Sequence, residues 1–389
     1  MKTAARLDEM TPFRAMDLMA RAQRLETEGR SIVHFEVGEP DFPTPPRVIA
    51  AAQAYLQRGR IAYTPALGLP ALRRAIAGFY GTRYGIDLDP ERVVVTAGGS
   101  AALLLSMGLL LDPGDELLLG DPGYPCNLNI AAFCGARPRP IAVGADSSYQ
   151  PSAAQVAAAW SPRSRALLLA SPSNPTGTML DAAALRALYD IVAERGGSLV
   201  VDEIYHGLTY GAAAATALAV ADDVFVVGSF SKYFGMTGWR LGWLVVPAGL
   251  SRQVEKLAQN LYISSSAPAQ HAALAAFDAE TLALLEQRRV EFGRRRDLML
   301  AGLRRLGFGV AVVPQGAFYL YADSSHLAAD SFELAHDLLE RGGVAVTPGI
   351  DFGRSAAEKH LRFAYTVNEE QIMEGLRRIE RFAGGVRGN

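Results

Sequence analysis

Cysteine is nearly absent from this sequence: Cys126 and Cys134 are the only two among 389 residues. They lack the paired short spacing of a zinc site and are too few for a disulfide framework, so both are expected as reduced thiols. Neither sign of charge is in excess. Lys and Arg total 38 against 40 for Asp and Glu, a net charge of -2, which offers no general attraction to nucleic acid or to an anionic membrane. Long apolar runs are missing too, since the longest, near 100–111, is far too short to cross a bilayer. Asp8 and Glu9 stand where a secretory signal would carry its apolar centre. No internal repeat, low-complexity tract or long linker interrupts the chain. The expectation is a soluble, cytoplasmic protein. Half of the residues are apolar and a fifth are charged, which is enough to bury a large core in two or three domains.

From about residue 90, short β-branched or Leu-rich runs alternate with Ala-rich stretches of helical period. That alternation belongs to a mostly parallel sheet wrapped by helices. The runs are Val93–Thr96, Glu116–Leu119, Ala166–Ala170, Ser198–Asp202, Val224–Gly228 and Leu241–Val246. Most are continuously apolar rather than alternating, as expected of strands covered on both faces. Such a sheet binds its ligand beyond the carboxyl ends of the strands. Residues 1 to about 30 read as one helix. Gly38–Pro46 holds four prolines and cannot be helical, so it reads as a strap or lid. After about 280 comes a charged helical stretch, Glu286–Leu306, and then strand candidates near 310–322 and 361–366 between helices. The reading is an α/β protein with a large domain over 46–285. A smaller α+β domain would be formed by 1–45 and 286–389.

The densest chemical signal is SFSKYFGMTGWRLGW, residues 229–243, directly after a strand. A lysine on the rim of an apolar cleft can lower its pKa and attack carbonyls, although a lone Lys232 is more simply a solvated loop residue. Arg240 offers a planar guanidinium able to grip two phosphate oxygens, or else a surface ion pair. TAGGSAALLL, residues 96–105, ends a strand and opens a helix, so Gly99 and Ser100 would present free amides to an anion. Alone it is a helix cap, and it lacks the spacing of the Walker loop and of the dinucleotide fingerprint. VDEIYHGL, residues 201–208, places Asp202 at the end of an apolar strand, where a carboxylate needs a cation or a capping role. His206 is taken as structural. SPSNPTGT, residues 171–178, must be an ordered turn carrying Asn174. Tyr124 in DPGYP is either a core aromatic or a stacking ring. LRFAYTVNEEQI, residues 361–372, puts Arg362 on an apolar strand, where it must meet an anion or an internal salt bridge.

Together these segments resemble the class I and II aminotransferases of pyridoxal-phosphate fold type I, over essentially the whole chain. The family's Ser, x, x, Lys with an Arg eight residues later is matched by Ser229, Lys232 and Arg240. The resemblance implies that Lys232 forms a Schiff base with pyridoxal 5'-phosphate and later shuttles the proton of a 1,3-transfer. It implies that Ser229, Arg240, Gly99 and Ser100 hold the phosphate, that Asp202 faces the pyridine nitrogen, and that Tyr205 and Asn174 reach the phenolic oxygen. Tyr124 then stacks on the ring, while Arg362, Gly38 and Asn174 border the substrate carboxylate. AYTPALGLPALR, residues 62–73, matches a segment whose tyrosine reaches the phosphate of a neighbouring subunit, so Tyr63 implies a homodimer with shared active sites. The implied activity moves an amino group between an L-amino acid and a 2-oxo acid, without a metal. SSSAPAQHAAL, residues 264–274, lacks the arginine with which some members bind a second carboxylate. Acidic, apolar and aromatic donors all stay open. Two rival readings are a carbon-sulfur β-lyase on the same scaffold and a cofactor-binding regulator half, which would carry an added DNA-binding domain.

Overall fold

The computed structural model describes residues 2–8 and 10–387. Its strands, in chain order, are β1 (Val33–His34), β2 (Val93–Thr96), β3 (Glu116–Asp121), β4 (Arg137–Ala142), β5 (Ser164–Ala170) and β6 (Ser198–Asp202). They continue with β7 (Phe225–Ser229), β8 (Gly242–Val245), β9 (Tyr319–Asp323), β10 (Val344–Ala345), β11 (Thr347–Pro348) and β12 (His360–Ala364). Seven of them form one sheet in the order β2-β8-β7-β6-β5-β3-β4. Strands β3 to β7 run parallel to their neighbours within that set, whereas β8 is antiparallel to both β2 and β7. The Leu- and Val-rich centres of β5, β6 and β7 are buried, as continuous apolar runs between two helical layers should be. All six expected strands are present, with ends shifted by at most two residues.

Strand β4 was not foreseen, because RPRPIA reads as a breaker. It pairs only with β3, Leu117 opposite Pro138 and Leu119 opposite Pro140. An edge strand has one row of backbone groups that needs no partner, and there proline's missing N–H costs nothing. The common direction of β3, β5, β6 and β7 brings the Asp121, Ala170, Asp202 and Ser229 ends to one edge of the sheet.

The later part of the chain builds a three-stranded antiparallel sheet, β11-β12-β9, and a short parallel pair, β1 with β10. Arg362 sits mid-strand on β12, opposite Tyr321 of β9 and Thr347 of β11. The expected charged helix is longer than Glu286–Leu306, spanning Ala279–Arg305. It runs unbroken across residues 285 and 286, so the chain passes between its earlier and later parts along a helix instead of a linker.

The single helix expected over residues 1 to about 30 is corrected. A short 3-10 turn at Ala5–Asp8 is separated from an α-helix at Arg14–Thr27, and residues 1 and 9 lie outside the described set. Pro12 has no N–H to give and disfavours helical backbone at Thr11. The Arg14–Thr27 helix buries Ala15, Leu18, Ala22 and Leu25, spaced along one face. The proline-rich segment after Gly38 is non-helical up to Pro46, which opens the next helix at its first position. It is tied down by an Asp41–Arg295 ion pair at 2.7 Å and by Arg288 Nη1 donating to the Pro43 carbonyl at 2.8 Å. Among the described residues no helix is long and apolar enough to cross a membrane, and no cluster of His, Cys, Asp or Glu is arranged for a metal. Cys126 and Cys134 are both unpaired.

Candidate active site

A cavity of about 500 Å³ opens at the sheet edge where the parallel strands end. Eleven of the twelve residues expected from sequence line it: Gly38, Gly99, Ser100, Tyr124, Asn174, Asp202, Tyr205, Ser229, Lys232, Arg240 and Arg362. The exception is Tyr63, which is 80% exposed and borders no part of it. That volume suits a drug-sized ligand.

Lys232 follows β7 by three residues and projects across the cavity, where its Nζ donates to the Gly38 carbonyl at 2.8 Å. The rings of Tyr205 and Phe318 lie 5.8 and 5.7 Å from it. Burial pushes the Lys232 ammonium down to about 8; Arg362 and Arg240 push the same way, while Glu39 and Asp202 oppose them. An amine in this range is neutral in useful amount near neutral pH, which an ordinary lysine is not.

Asp202, at the end of β6, is buried and accepts one backbone N–H, from Ile204 at 3.1 Å. No helix starts there for it to cap. Burial raises its carboxyl to about 7, only partly countered by the Ile204 bond and Lys232. A carboxylate held this far above its usual range lacks a cation. Beside it, Ser229 Oγ accepts from Ser231 N at 3.0 Å, leaving its own O–H free to donate elsewhere.

The two halves of the expected anion cup meet. The helix Gly99–Leu110 begins after Gly98 in left-handed backbone, φ +84°, and no side chain caps it. The Arg240 guanidinium lies so close that a Cβ on Gly98 would sit 2.7 Å from Nη2. Arg240 itself has φ +52° and donates from Nη1 to the Thr237 carbonyl at 3.1 Å. Among the described residues it pairs with no carboxylate.

Arg362 is buried, and Nη1 donates to Asn174 Oδ1 at 2.9 Å. Nη2 donates to the Glu36 carbonyl and, at 3.1 Å, to Thr347 Oγ1. Its Nε is buried with no partner, a donor left over for an anion. Among the described residues Arg362 forms no ion pair with a carboxylate, so the internal salt bridge weighed from sequence is not found there. Asn174 accepts from Arg362 through oxygen, which leaves its amide N–H groups for another ligand.

The aminotransferase class I and II family model matches residues 30–379. The chain is 40% identical over 371 residues to a valine–pyruvate aminotransferase of Mycobacterium tuberculosis, covering 95% of each. It is 35% identical over 382 residues to an aspartate/prephenate aminotransferase of Thermus thermophilus, covering 97% of this chain and 98% of that protein. Among solved structures, an aminotransferase from Mycobacterium tuberculosis superposes with a TM-score of 0.95 at 38% identity, covering 99% of this chain and all of the other. The chain belongs to the class I and II aminotransferases. It is a transaminase that uses pyridoxal 5'-phosphate, with the fold type I architecture.

The residues present in this aminotransferase fit that cofactor. An underpaired buried carboxylate suits a protonated pyridine nitrogen, the uncapped helix with Arg240 and Ser229 suits a phosphate, and a low-pKa amine suits an aldehyde. His206 is half-buried, hydrogen-bonded through Nδ1 to the Tyr84 hydroxyl at 2.9 Å, and loss of solvent around the ring lowers it to about 3; it does not line the cavity.

Several cavity residues were not anticipated. Phe13, Met16 and Met19 arrive from the first helix and its approach. Glu36 is fully buried, with Oε1 2.7 Å from His34 Nδ1 and Oε2 unpartnered. Tyr319, on β9, lies against Arg362. Only Tyr319 carried a sequence signal, the aromatic run FYLY at 318–321.

Proposed function

We propose that this enzyme transfers the amino group of a neutral, apolar L-amino acid to a 2-oxo acid, with Lys232 as both cofactor anchor and proton carrier. The observation that carries the reading is the Lys232 amine, depressed in pKa and held between Asp202 and Arg362 in one cavity. Asp202 would pair with the pyridine nitrogen; Ser229, Arg240, Gly99 and Ser100 would hold the phosphate. Tyr205 and Asn174 would donate to the phenolic oxygen, and Tyr124 would cover a ring face. When bound, the cofactor supplies the electron sink that acidifies the substrate Cα–H.

The remaining chemistry belongs to the chain. Arg362 grips the α-carboxylate in a bidentate fork and so fixes the substrate's orientation. The Gly38 carbonyl holds Lys232 Nζ beside that site. Lys232, neutral in part at physiological pH, would take the proton from the substrate Cα and deliver it to the cofactor's C4' carbon, the 1,3-transfer that transamination requires. The side-chain wall offered by Phe13, Met16 and Met19 is apolar and, in methionine, adaptable. All three cations lining the cavity, Lys232, Arg240 and Arg362, already have tasks, so none is spare for a second carboxylate. The name of the mycobacterial relative, valine–pyruvate aminotransferase, supports the same class of donor.

The enzyme is read as a cytoplasmic homodimer, with Tyr63 reaching the partner's phosphate. Support comes from the segment that carries Tyr63, which is pinned by buried Gln270, donating to Thr64 Oγ1 at 2.9 Å and accepting from Leu69 N at 2.8 Å, while the Tyr63 side chain stays exposed. Borohydride should lock the cofactor onto the peptide containing Lys232. A Lys232→Ala protein that still forms a borohydride-reducible imine with the cofactor would overturn the anchor. A panel of amino donors, scored by conversion of bound pyridoxal to pyridoxamine phosphate, tests the class: valine, leucine and phenylalanine should convert the cofactor faster than aspartate. Faster conversion by aspartate would overturn it.

A further inference from the structure

Tyr319 joins two parts of the site that the roles above leave separate. Its ring lies under the Arg362 guanidinium, whose carbon is 4.3 Å from the ring centroid. Its hydroxyl is 2.9 Å from the Tyr205 hydroxyl, both groups being buried. The rings meet edge to face, with centroids 5.8 Å apart and an 81° interplanar angle. Space for the Tyr319 hydroxyl exists only because residue 38 is glycine; a Cβ there would collide with it. The ionisable groups bordering the pair are Arg362, Tyr124 and Lys232, from three other segments of chain, and Asp202, three residues before Tyr205.

One proton lies between the two phenols, and its direction matters. A cation against the Tyr319 ring stabilises developing negative charge on its oxygen, so Tyr319 is the better donor of the two. Burial raises both phenols above their ordinary value, and at Tyr319 Arg362 is the main influence opposing that rise. With Tyr319 donating, the Tyr205 oxygen is occupied as acceptor and its own O–H is free. A hydroxyl that accepts one hydrogen bond donates the next more strongly.

We propose that Tyr319 is a positioning residue that transmits the charge state of the Arg362 clamp to Tyr205, and through it to the cofactor's phenolic oxygen. The proposal rests on the reading that Tyr205 donates to that oxygen. A substrate carboxylate on Arg362 neutralises the cation beside Tyr319, weakens the Tyr319 to Tyr205 bond, and so weakens donation to the cofactor. Carboxylate binding thereby raises the cofactor's proton affinity before any bond to the substrate changes. Asn174 also touches Arg362, but through its own carbonyl; the tyrosine path is separate in sequence and in contacts.

The test uses the cofactor-loaded enzyme and its visible absorbance against pH, in wild type, Tyr319→Phe, Tyr205→Phe and the double variant. Phenylalanine keeps the ring packing and removes only the hydroxyl. Weaker donation to the phenolic oxygen disfavours the deprotonated chromophore, so Tyr319→Phe should raise the titration midpoint by about half a pH unit, less than Tyr205→Phe does. Adding Tyr319→Phe to Tyr205→Phe should then move nothing further. Saturating 3-phenylpropionate, an unreactive carboxylate, should raise the wild-type midpoint by more than it raises that of Tyr319→Phe. An unchanged midpoint in Tyr319→Phe, even with lowered thermal stability, reduces Tyr319 to packing and overturns the proposal. Fully additive shifts in the double variant overturn it too. An unmoved midpoint in Tyr205→Phe instead removes Tyr205 from the phenolic oxygen, and the relay falls with that earlier reading.

Discussion

The Asp351 carboxylate accepts the backbone N–H groups of Arg14 and Ala15 at 3.2 and 2.7 Å, capping the first helix from more than three hundred residues away in sequence. Phe13, at the N-cap position, makes no side-chain cap of its own. Because this helix presents Met16 and Met19 to the cavity, its cap links folding to substrate fit. Asp351→Ala should cost about 1 kcal/mol in urea unfolding, the usual worth of an N-cap. KM for an apolar donor should rise several-fold, about the factor that 1 kcal/mol represents, while kcat changes little. A variant with the stability loss and an unchanged KM would show that the helix does not shape the substrate pocket.

Arg362 donates to Asn174, Thr347 and the Glu36 carbonyl, so its fork is preset before any substrate arrives. Lysine can provide the charge but not the planar fork, since its donors all sit on one nitrogen. Arg362→Lys should lower kcat/KM for the donor by about a hundredfold or more, in line with the 2–5 kcal/mol lost when one side of a buried charged pair is replaced. Cofactor binding should change little, since the proposed phosphate and pyridine contacts lie elsewhere. Steady-state kinetics on the donor, beside a cofactor titration of the same variant, separates the two. Equal losses in both would place Arg362 outside the carboxylate site.

What the sequence made legible follows from chain geometry. Lys232, Asp202 and Asn174 each follow an apolar run that becomes a parallel strand, and the direction of such strands puts their ends on one edge. Local pattern therefore sufficed for them. Tyr319, Glu36 and Asp351 act through partners 114, 326 and 336 residues away, and no periodicity encodes such a pairing. Strand β4 was hidden because its prolines are harmless only at a sheet edge, a position that exists only once the sheet is assembled. The break at Pro12 was written locally, but the apolar spacing on either side outweighed it.

The cofactor-free protein should show an unusual dependence of stability on pH. Burial raises Asp202 from 3.8 to about 7 and lowers Lys232 from 10.5 to about 8. Between about pH 4 and 7 the folded chain keeps a proton on Asp202 that the unfolded chain has lost, so stability falls as pH rises. Between about pH 8 and 10.5 the unfolded chain keeps a proton on Lys232 that the folded chain has lost, so stability rises. Their combined contribution is a trough near neutrality, where the folded site holds a carboxylate and an ammonium that each favour discharge. Urea midpoints across pH should show a shallower acid limb in Asp202→Asn, the remainder belonging to buried Glu203, whose carboxyl is raised to about 8, and should lose the alkaline limb in Lys232→Met. Limbs unchanged in both variants would mean that neither group titrates as its burial requires.

Tyr63 offers the sharpest test of a shared site. It is 80% exposed in the single chain, on a segment pinned at Gln270, and a large exposed aromatic on a fixed loop has little to do for its own subunit's stability. If its hydroxyl donates to the partner's phosphate, Tyr63→Phe should weaken cofactor binding about tenfold, the worth of one hydrogen bond to a charged group, with no change in the urea midpoint of the cofactor-free protein. Mixing refolded Tyr63→Ala and Lys232→Ala chains gives the stricter result. Each homodimer is impaired, but a mixed dimer contains one site with both Lys232 and the partner's tyrosine, so random re-association should restore activity toward about a quarter of the wild-type level. A tyrosine serving its own subunit would leave Tyr63 and Lys232 together only in sites of unmixed wild-type chains, so mixing would restore nothing. Sedimentation equilibrium showing a monomer at working concentration would end the shared-site reading directly.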